Sequence, residues 1–275
     1  MLRARLGLSP QPVRPELTIR QGEVVLVIGK PGTGKSTLAQ WLLRDAGSAI
    51  VYETKGDPLE QQDWERAGFV PVHDPMDLDP HPRAMLICRS EWLQKRPGWE
   101  RPGRAWSRAL EHPFHRKPTA VLFDEVLRAF PVGGGHPGTH RILQQGRSFG
   151  MVPIILSQAA SNIDTLLLRL AQHIFVLGPF RAGADLDYVQ RATSSDVKPL
   201  ARLGKRQIGW WHETAAEWTT FEPLRPDGPA ELRPLLAGTV ALPYPSSSLP
   251  WAARHRDFAG PPAWTVTLHT YTTSR

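Results

Sequence analysis

Val24-Val25-Leu26-Val27-Ile28-Gly29-Lys30-Pro31-Gly32-Thr33-Gly34-Lys35-Ser36-Thr37 decides how this chain reads. The apolar run that opens it, rich in β-branched residues, predicts a strand buried on both faces. Gly29 to Ser36 fit G-x-x-x-x-G-K-[ST], and residues 36–46 then place Leu38, Trp41 and Leu42 on one helical face, with Gly47 as a stop. Strand, glycine-rich loop and helix in this order form a phosphate cradle. The glycines let the backbone curl until its N–H groups point inward. The helix N-terminus adds a partial positive charge. The candidate nucleotide-binding residues are therefore Gly29, Lys30, Pro31, Gly32, Thr33, Gly34, Lys35, Ser36 and Thr37. In such a cradle Lys35 reaches the β- and γ-phosphates and the Ser36 hydroxyl ligates Mg²⁺.

Downstream, Thr119-Ala120-Val121-Leu122-Phe123-Asp124-Glu125 is a hydrophobic strand that ends in two carboxylates. After a phosphate cradle, an Asp in this place holds the Mg²⁺ shell. A Glu directly after it can take a proton from the attacking water. That base separates a hydrolase from most small-molecule kinases. Two other nucleotide-binding classes lack their marks. The only asparagine, Asn162, sits in Ser-Asn-Ile-Asp, so there is no N-K-x-D guanine reader, and no L-S-G-G-Q precedes the acidic strand.

Further apolar runs at 49–53, 69–73, 85–88, 152–157 and 174–177 predict buried strands, and amphipathic stretches at 139–148 and 163–171 predict helices. Continuous apolar strands alternating with helices predict a mostly parallel sheet covered on both faces. Residues 208–212 and 217–221 predict a terminal hairpin. Residues 1–20 read as a polar lead-in to a short first strand, residues 21–223 as the main domain, and residues 224–275 as a proline-rich tail.

Two more stretches carry a resemblance. Val51-Tyr52-Glu53-Thr54-Lys55-Gly56-Asp57 resembles the D-P-K-G-[DE] signature of FtsK–HerA-type DNA pumps and conjugative coupling ATPases, with Glu53-Thr54 where Asp-Pro is usual. The segment from Leu143 to Gln158 resembles their R-x-x-G-[IV]-x-[LIV]-x-[LIV]-x-[TS]-Q segment. The resemblance spans roughly residues 20–225, with the four motifs in family order. It implies an α/β fold: a RecA-like P-loop NTPase core with a mostly parallel central sheet flanked by helices, plus the small C-terminal hairpin and tail. It implies Mg²⁺-dependent ATP hydrolysis, with Lys35, Glu125, Gln158 and Arg147 as catalytic residues and Ser36 and Asp124 on the metal. Gln158 resembles the sensor of the γ-phosphate or the attacking water. Arg147 resembles an arginine finger that completes a neighbouring subunit's site, with Arg141 in reserve. Such a finger implies a homo-oligomeric ring, a hexamer being favoured, around duplex DNA.

The chain has 275 residues, 41% of them hydrophobic and 21% charged, which excludes wholesale disorder and leaves room for one large core. The absence of large extra domains makes it most similar to the genome-packaging ATPases of tailless, membrane-containing viruses. The expected partners are then duplex DNA and capsid or inner-membrane vertex proteins, and the expected location is the host cytoplasm or a packaging vertex of the virion. A plasmid or cellular DNA pump and a non-translocating ATP-binding assembly switch stay open as alternatives.

The net charge of +7 fits a polyanionic partner. Residues 83–108 gather Arg83, Arg89, Lys95, Arg96, Arg101, Arg104 and Arg108 with Trp92, Trp99 and Trp106 interleaved, while Pro97, Gly98 and Pro102 interrupt any long helix. Arg96, Arg101 and Arg104 are candidate DNA contacts. Gly134 and His136, in a glycine-rich loop after the acidic pair, are a second candidate. The ten histidines show no metal-binding spacing, and His173 reads as a core residue. The single cysteine, Cys88, excludes an internal disulfide and fits a reducing compartment. No apolar run approaches the ~20 residues of a membrane span, and the first residues lack the apolar region of a secretory signal.

Overall fold

The computed structural model describes residues 16–44, 46–88, 104–116, 119–125, 137–161, 163–180, 183–221 and 264–267. The strands among them, in chain order, are β1 (Glu16–Ile19), β2 (Val24–Ile28), β3 (Ala49–Glu53), β4 (Val70–Val72), β5 (Arg83–Ile87), β6 (Thr119–Phe123), β7 (Met151–Ser157), β8 (Ala171–Leu177), β9 (Ile208–His212), β10 (Trp218–Phe221) and β11 (Trp264–Thr267). The helices are α1 (Lys35–Leu42), α2 (Pro58–Arg66), α3 (Arg104–Glu111), α4 (Pro137–Gln145), α5 (Thr165–Leu170), α6 (Gly183–Thr193) and α7 (Lys198–Ala201). Nine strands form one sheet in the order β10-β9-β8-β2-β7-β6-β3-β5-β4. From β8 to β4 all neighbours run parallel, and β9 and β10 close that edge as the antiparallel hairpin the sequence predicts.

Strand residues point alternately to the two faces, and here both faces are covered. Val25, Val27, Val51, Leu122, Ile154 and Leu156 pack against Leu38 and Leu42 of α1 and Trp64 of α2. Leu26, Ile28, Tyr52, Phe123 and Ile155 pack against Trp106 of α3, Ile142 of α4, Leu167 of α5, Val189 of α6 and Leu200 of α7. Double-sided burial is why the strands read as unbroken apolar runs.

Several expectations change in detail. The helix after the cradle ends at Leu42, ahead of the predicted Gly47. The predicted 163–171 helix stops at Leu170, because Ala171 already enters β8 beside Val24. The basic segment in which Pro97, Gly98 and Pro102 interrupt any long helix gives way to α3 at Arg104. This helix starts past the breakers Pro97 and Pro102, and its Trp106, Ala109 and Leu110 bury at helical spacing. The sequence pattern does not predict helices α2, α6 and α7. In α2 only Trp64 is buried, so the apolar stripe is too thin to stand out, although Asp57 caps Leu59 N–H at 2.9 Å with Pro58 at the first helical position. From the predicted tail, β11 pairs antiparallel with β1.

Arg83 is a structural clamp rather than a free basic group. Its guanidinium lies 4.4 Å from the Phe69 ring centroid and donates to the carbonyls of Leu43, Arg44, Ala46 and Ala67, beyond the C-termini of α1 and α2. Among the described residues no helix is long and apolar enough to cross a membrane.

Candidate nucleotide site

Register brings the important strand ends level. Ile28 of β2 sits opposite Ser157 of β7, Phe123 of β6 opposite Ile155, and Tyr52 of β3 opposite Phe123. The carboxyl edge therefore presents, side by side, the cradle after β2, Gln158 after β7, Asp124-Glu125 after β6 and Thr54-Lys55 after β3. Strands lie ~4.8 Å apart, so β7 sets the cradle and the acidic pair about 10 Å apart with Gln158 between them. A crevice outside the carboxyl ends of parallel strands is where such sheets bind ligands.

The cradle is already curled. Gly32 and Gly34 adopt φ of +74° and +98°, a region that favours glycine. A Cβ on Gly29 would meet Thr33 Oγ1 at 2.6 Å. Gly29 N–H donates to Ser157 O at 3.0 Å, and Thr33 Oγ1 to Lys30 O at 2.8 Å, which ties the loop to β7 and to itself. Lys35 is buried, and its Nζ donates to Gly29 O at 2.6 Å and Lys30 O at 3.1 Å. Burial and then the nearby Lys55 charge push the Lys35 ammonium below its ordinary range, against the pull of Glu125, Asp124 and Glu60. Lys30, Pro31, Gly32 and Thr37 are exposed, with their loop and helix face open to a ligand.

On β6 the two carboxylates divide. Glu125 Oε2 accepts from Gln158 Nε2 at 2.8 Å, while its buried Oε1 has no hydrogen-bond partner among the described residues. Asp124 is fully buried; its Oδ1 accepts from Lys55 Nζ at 2.9 Å, and its Oδ2 has no partner among the described residues. A buried carboxylate oxygen left bare costs ~1–3 kcal/mol or more, and Asp124 and Glu125, consecutive in the chain, each keep one that a ligand could satisfy. Burial pushes the Asp124 carboxyl up to about 7; Lys55 opposes this and Glu60 adds to it. For Lys55, burial pulls downward, but Asp124 and Glu60 outweigh it and hold the ammonium above its usual range. The 2.9 Å contact describes an ion pair with Lys55 charged.

Lys55 and Glu60 are the site members that the sequence did not assign. Lys55 Nζ also contacts Glu60 at 2.9 and 3.1 Å, and Glu60 Oε1 accepts the Ser36 hydroxyl. Glu53 Oε1 accepts the Lys55 and Gly56 N–H groups, both at 2.7 Å, and its Oε2 accepts from Gln61 Nε2 at 2.9 Å. Lys55 was visible in the motif after β3, whereas Glu60 carries no spacing signal toward Ser36. The donor set fits Mg²⁺: Ser36 Oγ and the Asp124 carboxylate are hard oxygen ligands, Asp124 keeps one oxygen bare, and an ammonium already sits on the other.

Arg147 lies elsewhere. It is exposed, in the short turn before β7, with its aliphatic stem against Gly22 at the amino edge. The seven residues of β7 separate it from its own cradle by about 20 Å, so it cannot serve the site of its own chain. Arg141 is engaged with Glu111 at 2.6 Å and stacks 4.0 Å from the Phe114 centroid. Arg104 begins α3, while Arg96, Arg101, Gly134 and His136 lie outside the described residues. His173 is fully buried and hydrogen-bonded, as read from the sequence.

Sheet order, double-sided helix cover and glycine loop together define a RecA-like P-loop NTPase fold. No protein-family model matches the chain. The genome packaging NTPase B204 of Sulfolobus turreted icosahedral virus 2, in a complex with ATP-gammaS, superposes with a TM-score of 0.60 at 15% identity, over 74% of this chain and 98% of B204. B204 described as the DNA-packaging ATPase of Sulfolobus turreted icosahedral virus gives a TM-score of 0.59 at 16% identity, over 75% and 100%. In sequence, the methionine import ATP-binding protein MetN of Mesorhizobium japonicum is 22% identical over 202 residues, 62% of this chain. The probable D,D-dipeptide transport ATP-binding protein DdpF of Escherichia coli is 22% identical over 211 residues, 68% of this chain. These alignments span 55% of MetN and 67% of DdpF.

Proposed function

We propose that the protein is a Mg²⁺-dependent ATPase that drives duplex DNA into a preformed viral capsid. The observation that carries the hydrolytic part is Glu125, held through one oxygen by Gln158 with the other bare, beside a curled cradle that contains Lys35. Lys35 exchanges its two loop carbonyls for β- and γ-phosphate oxygens, and the loop N–H groups close around them. Ser36 and Asp124 would hold Mg²⁺. That ion would supply neutralisation of phosphate charge. Glu125 Oε1 takes a proton from water as the water oxygen bonds to the γ-phosphorus. The bond to the β-phosphate oxygen breaks, leaving ADP and phosphate. Gln158 fixes the rotamer of Glu125 and presents its amide to the γ-phosphate.

The packaging part draws support from the B204 superposition, which covers almost all of that chain. Arg147, exposed at the edge remote from its own cradle, suits a finger that completes a neighbour's site in a homo-oligomeric ring, a hexamer being favoured. Capsid or inner-membrane vertex proteins are the docking partners in this reading. The location is the host cytoplasm or the packaging vertex.

The test is ATP turnover of the purified chain with and without duplex DNA across a salt series. Stimulation that weakens with salt is the expected result. A rate indifferent to DNA at every salt rejects the motor and favours a non-translocating ATP-binding assembly switch. Absence of affinity for Mg·ATP rejects the nucleotide site itself.

A further inference from the structure

Lys55 stands where the oxygens assigned to Mg²⁺ and its surroundings converge. Its ammonium contacts Asp124 Oδ1 and both Glu60 oxygens, and Glu60 in turn holds the Ser36 hydroxyl. An ammonium and a divalent ion seek the same oxygen ligands and repel one another at contact distance.

We propose that Lys55 is the exchangeable occupant of the magnesium seat: its ammonium leaves Asp124 when Mg²⁺ arrives with nucleotide and returns when the ion departs. This rests on the reading of Ser36 and Asp124 as the Mg²⁺ ligands.

Three features make the exchange mechanically simple. The Asp124 side chain is 0% exposed and that of Lys55 25%, so the lysine has a path to water and the aspartate has none. Glu53 clamps the N–H groups of Lys55 and Gly56, so the loop backbone stays in place and the lysine side chain alone swings. Asp124 and Glu60 together carry two negative charges, which one ammonium half-balances and a divalent ion balances in full. Glu60 would then be left to accept hydrogen bonds from water. The exchange keeps the buried aspartate paired through the whole cycle. It also ties metal loading to nucleotide, since Mg²⁺ alone must compete with a tethered cation.

The test begins with Lys55→Met in protein purified without nucleotide. In EDTA this variant melts below wild type. MgCl₂ in the millimolar range, at constant ionic strength, raises its melting temperature by several degrees and leaves wild type nearly unmoved. Calorimetry with Mg²⁺ alone gives binding roughly tenfold tighter for the variant. A purely structural lysine would lower stability without creating this Mg²⁺ response, so equal responses of the two proteins overturn the proposal. If Lys55→Met does not fold, wild type carries the test. Acetylation of Lys55, read by mass spectrometry, rises several-fold in Mg·AMPPNP over AMPPNP with EDTA, and unchanged labelling overturns the exchange. Failure of wild type to bind Mg·ATP defeats the nucleotide-site reading instead. The Mg²⁺-only comparison still decides the fate of Lys55 in that case.

Discussion

The sheet carries a buried polar cluster at each edge, one at the amino ends of β2 and β8 and one beyond the carboxyl end of β6, and the two differ in how completely they close on themselves. At the amino edge, Glu23 Oε2 accepts from Arg20 N–H at 2.6 Å and from His173 Nε2 at 2.9 Å, and His173 Nδ1 accepts from Trp210 Nε1–H at 3.3 Å. His212 lies beside them, close enough that Glu23, His173 and His212 offer ligand atoms within 4.8 Å of one another. A ring that accepts at Nδ1 carries its proton on Nε2, so His173 has no lone pair left to give an ion. At the carboxyl edge, Asp124 and Glu125 each keep a buried oxygen without a partner among the described residues. Residue types alone make the first cluster look like the metal site. Hydrogen-bond satisfaction makes the first cluster structural and leaves the second with bare acceptors for the proposed ligand.

The sharpest way to break this contrast is Glu125→Gln. Loss of a general base costs about 10²–10⁴ in rate, so turnover falls at least to the lower end of that range while ATP still binds. Because the variant removes a buried charge with one bare oxygen, its melting temperature does not drop. Steady-state turnover, nucleotide-binding calorimetry and a thermal melt measure the three expectations. Normal turnover strips Glu125 of its role.

How much was legible beforehand follows the same division. The cradle and the acidic pair are local in sequence, each a strand with its own loop, and letter patterns reveal them. The fold class followed because strands buried on both faces leave unbroken apolar runs. Gln158 was legible only through the longer motif, and its pairing with Glu125 only through the register of β6 and β7. The Ser36–Glu60–Lys55–Asp124 chain joins the first turns of α1 and α2 to the residues that follow β3 and β6, and no spacing rule links them. The amino-edge cluster joins residues up to 189 positions apart, from Glu23 to His212, for the same reason. Helix α3 was obscured because the prolines ahead of it dominate the reading of a window that holds only two helical turns of apolar spacing.

His173→Leu tests the other half of the contrast. It strands the Trp210 N–H and removes a donor from Glu23, and an orphaned buried polar group costs ~1–3 kcal/mol. Stability to urea therefore falls by about 2–3 kcal/mol, while turnover per folded molecule, measured well below the melting temperature, stays at the wild-type value. A loss of turnover without a loss of stability would move His173 into the functional machinery and undo the assignment made from its hydrogen bonds.

The smallest effect is also the most specific, because its sign is fixed in advance. Burial alone would raise the Glu23 carboxyl. The hydrogen bonds from His173 Nε2 and from the Arg20 N–H outweigh burial and hold it below its ordinary value of 4.5. A carboxylate with a depressed folded value contributes stability that is fully present above its unfolded value and is lost as pH falls through the folded one. Glu23→Gln keeps an acceptor oxygen and loses only the charge, so the deficit at neutral pH is about 1 kcal/mol or less. That deficit shrinks as pH falls through the ordinary value of 4.5, where the unfolded chain takes up the proton first. Urea unfolding of both proteins at neutral pH and in acid gives the gap at each end. A gap that is flat with pH, or wider in acid, would mean that Glu23 acts through packing and that charge plays no part in closing the amino-edge cluster.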